Sequence, residues 1–273
     1  MNTKVQVDRR SAVQNLAVGV AAAFSLFADR NAQADPAWSP WKDLISFAPD
    51  HLALVAARKA RGRAPLVFEV QRIENAAKPV VNLDQFAVKL EMLPTVDGAK
   101  LTDVQLLNHV RKNLNSFFDP NFAKLGAHLP DDQAEWDKGV VLGTIMLFHI
   151  YKWGVPIERG AVVVSKSTPR SWVFSPVKIG SGIIGTHPVA GNREFGIRPE
   201  GTGHVLYVRA ADRPYDTLPP ESVIFEGADA LWSSFQASVA KFVNENGGKA
   251  ASVAPVIHRP QWKAVVDAGY FKP

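Results

Sequence analysis

The stretch from His187 to Pro214 reads His-Pro-Val-Ala-Gly-Asn-Arg-Glu-Phe-Gly-Ile-Arg to Arg198, Pro-Glu-Gly-Thr-Gly from Pro199 to Gly203, and His-Val-Leu-Tyr-Val-Arg-Ala-Ala-Asp-Arg-Pro from His204. Two short runs of alternating apolar residues around a Gly-bearing loop are a hairpin signal. With Pro199 to Gly203 as a five-residue loop, Arg198 faces His204, Phe195 faces Tyr207 and Arg193 faces Arg209. Alternation along a strand then gathers Arg193, Phe195, Ile197, Val205, Tyr207 and Arg209 on one face.

Two opposed arginines are unfavourable unless an anion or a carboxylate lies between them. Glu194, Asp212 and a bound ligand are the candidates, and Arg213 adds a third guanidinium. The group Arg193, Tyr207, Arg209, Asp212 and Arg213 is therefore a candidate ligand site. Equally, it is a candidate structural network in which Glu194 and Asp212 pin the sheet. His187, before a proline at the entrance to the hairpin, and Glu194 beside Arg193 are candidate acid/base groups.

Downstream, Leu231, Phe235, Val239, Phe242 and Val243 recur at helical spacing, which predicts a helix from Ala228 to Asn246 stopped by Gly247-Gly248. A short closing helix is expected within Pro260 to Phe271. Upstream, Gly and Pro punctuate short β runs at Ala161 to Ser165, Trp172 to Val177 and Gly182 to Gly185, the pattern of an antiparallel meander. Val140 to Trp153 is a long apolar run that periodicity alone cannot divide between strand and buried helix.

The acidic stretch Leu129 to Gly139 carries Asp131, Asp132, Glu135 and Asp137. Its carboxylates fit either calcium or the positive end of a helix dipole. Before it, Thr102 and Gln105 form a capping box ahead of a helix from Val104 to Phe117 that Asp119-Pro120 ends. Leu66 to Ile73 and Phe86 to Leu93 read as strands, the second with Lys89 and Glu91 on its wet face. Pro49-Asp50 opens a helix from His51 whose tail, Arg58, Lys59, Arg61 and Arg63, is basic. That tail suits an anionic surface or the negative end of the helix dipole.

Residues 1–34 have the form of an export signal: Arg9-Arg10, an apolar run from Ala12 to Phe27, and Ala32-Gln33-Ala34 before Asp35-Pro36. The expected location is the periplasm or the exterior, by the general secretory or twin-arginine route. The apolar run is too short to leave a stable membrane span after cleavage. Removing that leader takes away four basic and two acidic residues and lowers the formal charge of +5 to about +3, which gives no support for nucleic-acid binding.

The chain has no cysteine, so disulfides, thiol catalysis and Cys-held metals are excluded. Gly180-Ser181-Gly182-Ile183-Ile184-Gly185 matches the dinucleotide fingerprint, but Thr186-His187-Pro188 follows where a helix must start. No cofactor and no metal site is expected. The expected class is α+β, an antiparallel sheet packed by amphipathic helices, with a helical and strand-bearing part over 35–130 and a mainly antiparallel β part over 131–273. Three functions remain open: a binder of a small anionic or polar ligand, an extracytoplasmic enzyme using His187 or Glu194, and a module that contacts another exported protein.

Overall fold

The computed structural model describes residues 36–63, 66–152, 155–180, 186–215 and 220–272 of the 273. The export signal over 1–34, the strand expected from Gly182 to Gly185 and all of the fingerprint-like segment after Gly180 lie outside the described residues.

The strands are β1 (Phe68–Val70), β2 (Asn82–Met92), β3 (Thr95–Val96), β4 (Ala99–Lys100), β5 (Ala123–Ala127), β6 (Ile145–Lys152), β7 (Val155–Thr168), β8 (Ser171–Ile179), β9 (Val189–Glu200), β10 (Gly203–Pro214), β11 (Lys249–Ser252) and β12 (Val256–His258). The helices are α1 (Lys42–Ser46), α2 (His51–Ala60), α3 (Asp103–Lys112), α4 (Leu114–Phe117), α5 (Pro130–Lys138), α6 (Glu221–Glu245) and α7 (Trp262–Asp267), with 3-10 turns at Pro36–Trp41 and Ile73–Asn75. The class is mixed α+β with an antiparallel sheet.

Among the described residues ten strands form one sheet in the order β11-β2-β10-β9-β8-β7-β6-β5, with β1 also on β8 and β12 also on β2. From β5 to β10 each strand pairs antiparallel with the next, as the regular Gly and Pro punctuation implies. The ambiguous run from Val140 resolves as strand from Ile145 onward.

The sheet buries both faces. On the inner face Phe86, Phe148, Phe174, Phe195 and Val208 pack with Leu106, Trp136, Trp232 and Phe235 from the helices α3, α5 and α6. On the outer face Leu83, Val173 and Ala211 pack with Trp41, Leu44 and Ile45 of the N-terminal segment and with Val265 near the C-terminus. A third cluster places Leu54 of α2 over Ile145, Val163 and Val177.

The capping box forms as read, with the Thr102 hydroxyl accepting from Gln105 N–H and Gln105 returning a bond to the Thr102 N–H. The helix behind it breaks at Asn113, so the stripe to Phe117 is shared between α3 and α4. α6 starts seven residues before the expected Ala228 and carries Gly227 inside it, although glycine lowers helix propensity by about 1 kcal/mol.

The basic tail of α2 and the acidic stretch of α5 turn out to be each other's partners. Arg58 meets Asp132 at 2.6 Å, Arg61 and Arg63 both meet Glu135 at 2.7 Å, and Arg63 meets Asp131 at 2.8 Å. Burial works to raise the Glu135 pKa, but hydrogen bonds from Arg61, Arg63 and Thr144 outweigh it and hold the group at about 2.

The central hairpin forms, but one residue out of the expected register. Glu200 pairs with Gly203, leaving a two-residue turn of Gly201 and Thr202, and Gly201 sits at φ +58. A glycine at the first central position of a two-residue loop matches the right-handed twist of the flanking strands, which a five-residue loop read from Pro199 overlooks. Arg193 therefore pairs with Ala210 and Arg209 with Glu194. A one-residue slip sends alternate side chains to opposite faces, so the expected single face with Arg193 and Arg209 side by side does not exist.

Candidate functional site

β10 lies between β2 and β9, and Ala210 pairs with Asp84 on one side and Arg193 on the other. Neighbouring strands are about 4.8 Å apart, so Arg193 must cross one whole strand to reach β2. The small side chain of Ala210 leaves the way open. Arg193 grips Asp84 with two bonds, Nη1 to Oδ1 at 3.0 Å and Nη2 to Oδ2 at 2.8 Å. A third bond runs from Nη2 to Asp212 Oδ2 at 3.3 Å.

Asn82, paired with Asp212 across the strands, joins the two carboxylates. Its amide nitrogen donates to Asp84 Oδ2 at 2.8 Å and to Asp212 Oδ1 at 3.0 Å. Its carbonyl oxygen accepts from Arg259, which also forks onto Asp229 of α6 at 2.9 and 3.1 Å. The Arg193 guanidinium lies 4.4 Å from the centre of the Trp232 ring and that of Arg259 4.5 Å from Phe225. Asp84 is wholly buried.

This network closes the polar end of a cavity of about 390 Å³ between the inner face of the sheet and the first half of α6. Phe148, Ile150, Phe174, Ile224, Leu231 and Trp232 contribute apolar wall; Asn82, His187, Arg193 and Asp212 contribute the polar part. Volume and lining are those of a small-molecule site, where a mainly apolar wall surrounds a few placed polar groups.

His187 is set by Gln71, which accepts from the His187 N–H at 2.8 Å and donates to the His187 carbonyl at 2.9 Å. Its Nδ1 accepts from the Val189 N–H at 3.3 Å, so the neutral ring carries its proton on Nε2. Burial pushes its pKa down to about 4, with the Arg193 charge acting in the same direction, so the ring is neutral near pH 7.

Burial raises the Asp212 carboxyl and the neighbouring Asp84 adds to the effect; against Arg193, Asn82 and Arg259 the result is about 6. Asp229 is also raised, by burial first, against the pull of Arg259. For Arg193 burial alone would lower the pKa, but Asp84 and Asp212 reverse it and keep the cation charged.

Of the residues singled out in the sequence, Arg193, Asp212 and His187 converge on this cavity. Glu194, Tyr207, Arg209 and Arg213 point to the other face of the sheet. Arg209 binds Glu194 there at 2.7 Å, forks onto Asp43 at 3.1 and 2.7 Å and reaches the Pro40 carbonyl, which holds the N-terminal segment down. Arg213 gives its donors to the carbonyls of Ile73, Ala76 and Lys78 and lies 4.7 Å from the Trp262 ring. Tyr207 packs against Gly196, and burial, then Glu194, pushes its phenol up to about 12.

Sequence reading missed Asn82, Asp84, Asp229 and Arg259. A signal for the first two existed: they share the parity of Phe86, Val88 and Leu90, so they are polar residues on a core-facing row.

Among the described residues no helix is long and apolar enough to cross a membrane. No protein-family model and no curated protein matches the sequence. Solved structures that align with it include Ara h 8.0201, at 8% identity over 61% of this chain and 99% of that one with a TM-score of 0.40. A START superfamily protein from Mycobacterium smegmatis aligns at 9% identity over 60% and 98% with a TM-score of 0.37, and protein Ms6760 from Mycobacterium smegmatis at 9% over 66% and 99% with a TM-score of 0.40.

Proposed function

We propose that the protein binds a small, mainly apolar molecule in the cavity between the sheet and α6, with the polar part of that molecule against Asp212 and with the His187 ring beside it. The observation that carries this reading is the joining of apolar walls to one polar end inside a single cavity. A core packed only for stability leaves few voids, and placing Asp212 and His187 against one would be costly without a ligand to meet them. Export by way of residues 1–34 belongs to the same proposal, which would place the binding outside the cytoplasm.

The test is titration with the neutral fluorophore N-phenyl-1-naphthylamine. A rise in probe emission, quenching of tryptophan and a higher melting temperature are expected, since a ligand of the native state stabilises it by mass action. Ala228→Trp, which fills the cavity from α6, should abolish all three. Equal binding by the filled variant, or no binding by the wild type, would overturn the reading.

A further inference from the structure

The charge inside the cavity is not balanced. Arg193 and Asp212 are the lining residues that carry full charges within the cavity, while Glu226 on the same lining is exposed to solvent and His187 is neutral. Arg193 is committed to the wholly buried Asp84 by two bonds and meets Asp212 only at 3.3 Å. Arg259 is likewise committed, to Asp229 by two bonds. Each guanidinium thus has a carboxylate of its own, and Asp212 is left over.

Asp212 also has unused acceptor capacity. One bond reaches each of its oxygens, from Asn82 and from Arg193, and each oxygen can accept two. Asp212 shares the cavity lining with the apolar Ile224, Phe225 and Trp232, and its one ion pair among the described residues is to Arg193, whose closer bonds go to Asp84, so a further cation would stabilise the buried carboxylate.

Resting on the reading of this cavity as a ligand site, we infer that its ligand is an amine: an apolar body ending in a protonated nitrogen that pairs with Asp212. A carboxylate or phosphate ligand would place a second anion beside the buried Asp212, where the low dielectric makes repulsion strong. A neutral alcohol could bond to the same oxygens but would leave the charge uncompensated.

The experiment compares three probes with one body and different heads: 4-phenylbutylamine, 4-phenylbutanol and 4-phenylbutyrate, by calorimetry at about pH 8, where Asp212 is ionised. The expected order is amine tighter than alcohol by about tenfold, and alcohol tighter than carboxylate by about tenfold. At about pH 5 the amine should lose most of its advantage, since Asp212 then carries its own proton. Asp212→Asn should remove the advantage at both pH values, and the wild-type comparison stands even if that variant folds poorly.

Equal affinity for the three heads, or a preference for the carboxylate, would overturn the inference while leaving the cavity a ligand site. Failure of all three probes together with failure of the naphthylamine would overturn both.

Discussion

The imidazole of His187 occupies the space that a side chain on Gly160 would need. A β-carbon built on Gly160 would fall 2.2 Å from His187 Cδ2 and 3.0 Å from its Nε2. The glycine in β7 is thus the seat of the ring that forms part of the polar end of the cavity. Gly160→Ala is expected to push the ring aside, weaken binding of the naphthylamine by at least about tenfold and cost about 1–3 kcal/mol of stability, the usual effect of overpacking. Denaturant unfolding and probe titration measure both; unchanged affinity would separate His187 from the ligand.

Ala210 stands between Arg193 and Asp84 on the central strand of the network. Ala210→Val keeps the strand apolar and well disposed to β structure, but places a branched side chain in the path of the guanidinium. Separating a buried arginine from its carboxylate costs about 3–5 kcal/mol, far more than a β-propensity gain returns. A large fall in the denaturation midpoint is expected. A variant as stable as wild type would show that Arg193 reaches Asp84 by another route.

Arg209 and Arg193 are separated by function as well as by face. Arg209→Ala should release the Pro36–Trp41 segment and α1 from the outer face and leave Glu194 without its cation, lowering stability by about 3 kcal/mol. Affinity in the cavity should stay within about twofold, because no atom of Arg209 lines it. Proteolysis of the N-terminal segment combined with probe titration checks the pair of outcomes. Loss of binding with the segment still protected would return Arg209 to the ligand site.

The elements themselves were legible wherever one local rule sufficed. Thr102 with Gln105 announced α3, the stripe from Leu231 to Val243 announced α6, and the Gly and Pro spacing announced the meander. The register of the hairpin was not legible, because Pro199-Glu200-Gly201-Thr202-Gly203 holds two glycines and supports two turn lengths. That choice decides which face each arginine takes, and Tyr207, Arg209 and Arg213 of the proposed site lie on the other side of the sheet from Arg193 and Asp212. Likewise the α2 arginines and the α5 acids, 74 residues apart at Arg58 and Asp132, each looked locally self-sufficient, and only the tertiary fold shows that they pair.

Stability against pH should expose Asp212 and His187 as opposing titrations. Asp212 titrates at about 6 in the folded protein, above the roughly 3.9 of an unfolded aspartate. The folded state therefore binds its proton more tightly, and the stabilisation it brings is complete below about pH 4 and lost as the pH rises through about 6. His187 titrates at about 4 when folded, below the roughly 6.5 of the unfolded chain. Its contribution is complete above about pH 6.5 and lost as the pH falls toward about 4. Burial lowers His109, His128 and His149 as well, so the informative quantity is each variant minus wild type, in which those three cancel. Relative to wild type, Asp212→Asn should lose stability as the pH falls from about 6 to 4, and His187→Gln should gain it over the same window. In His187→Gln the groups that face Asp212, namely Arg193, Asp84, Asn82 and Arg259, are unchanged, and in Asp212→Asn the Arg193 charge that acts on His187 is unchanged. Melting curves for the three proteins between about pH 4 and 7.5 decide the matter: difference curves of opposite slope are required, and parallel curves would mean that neither group is buried as the network places it.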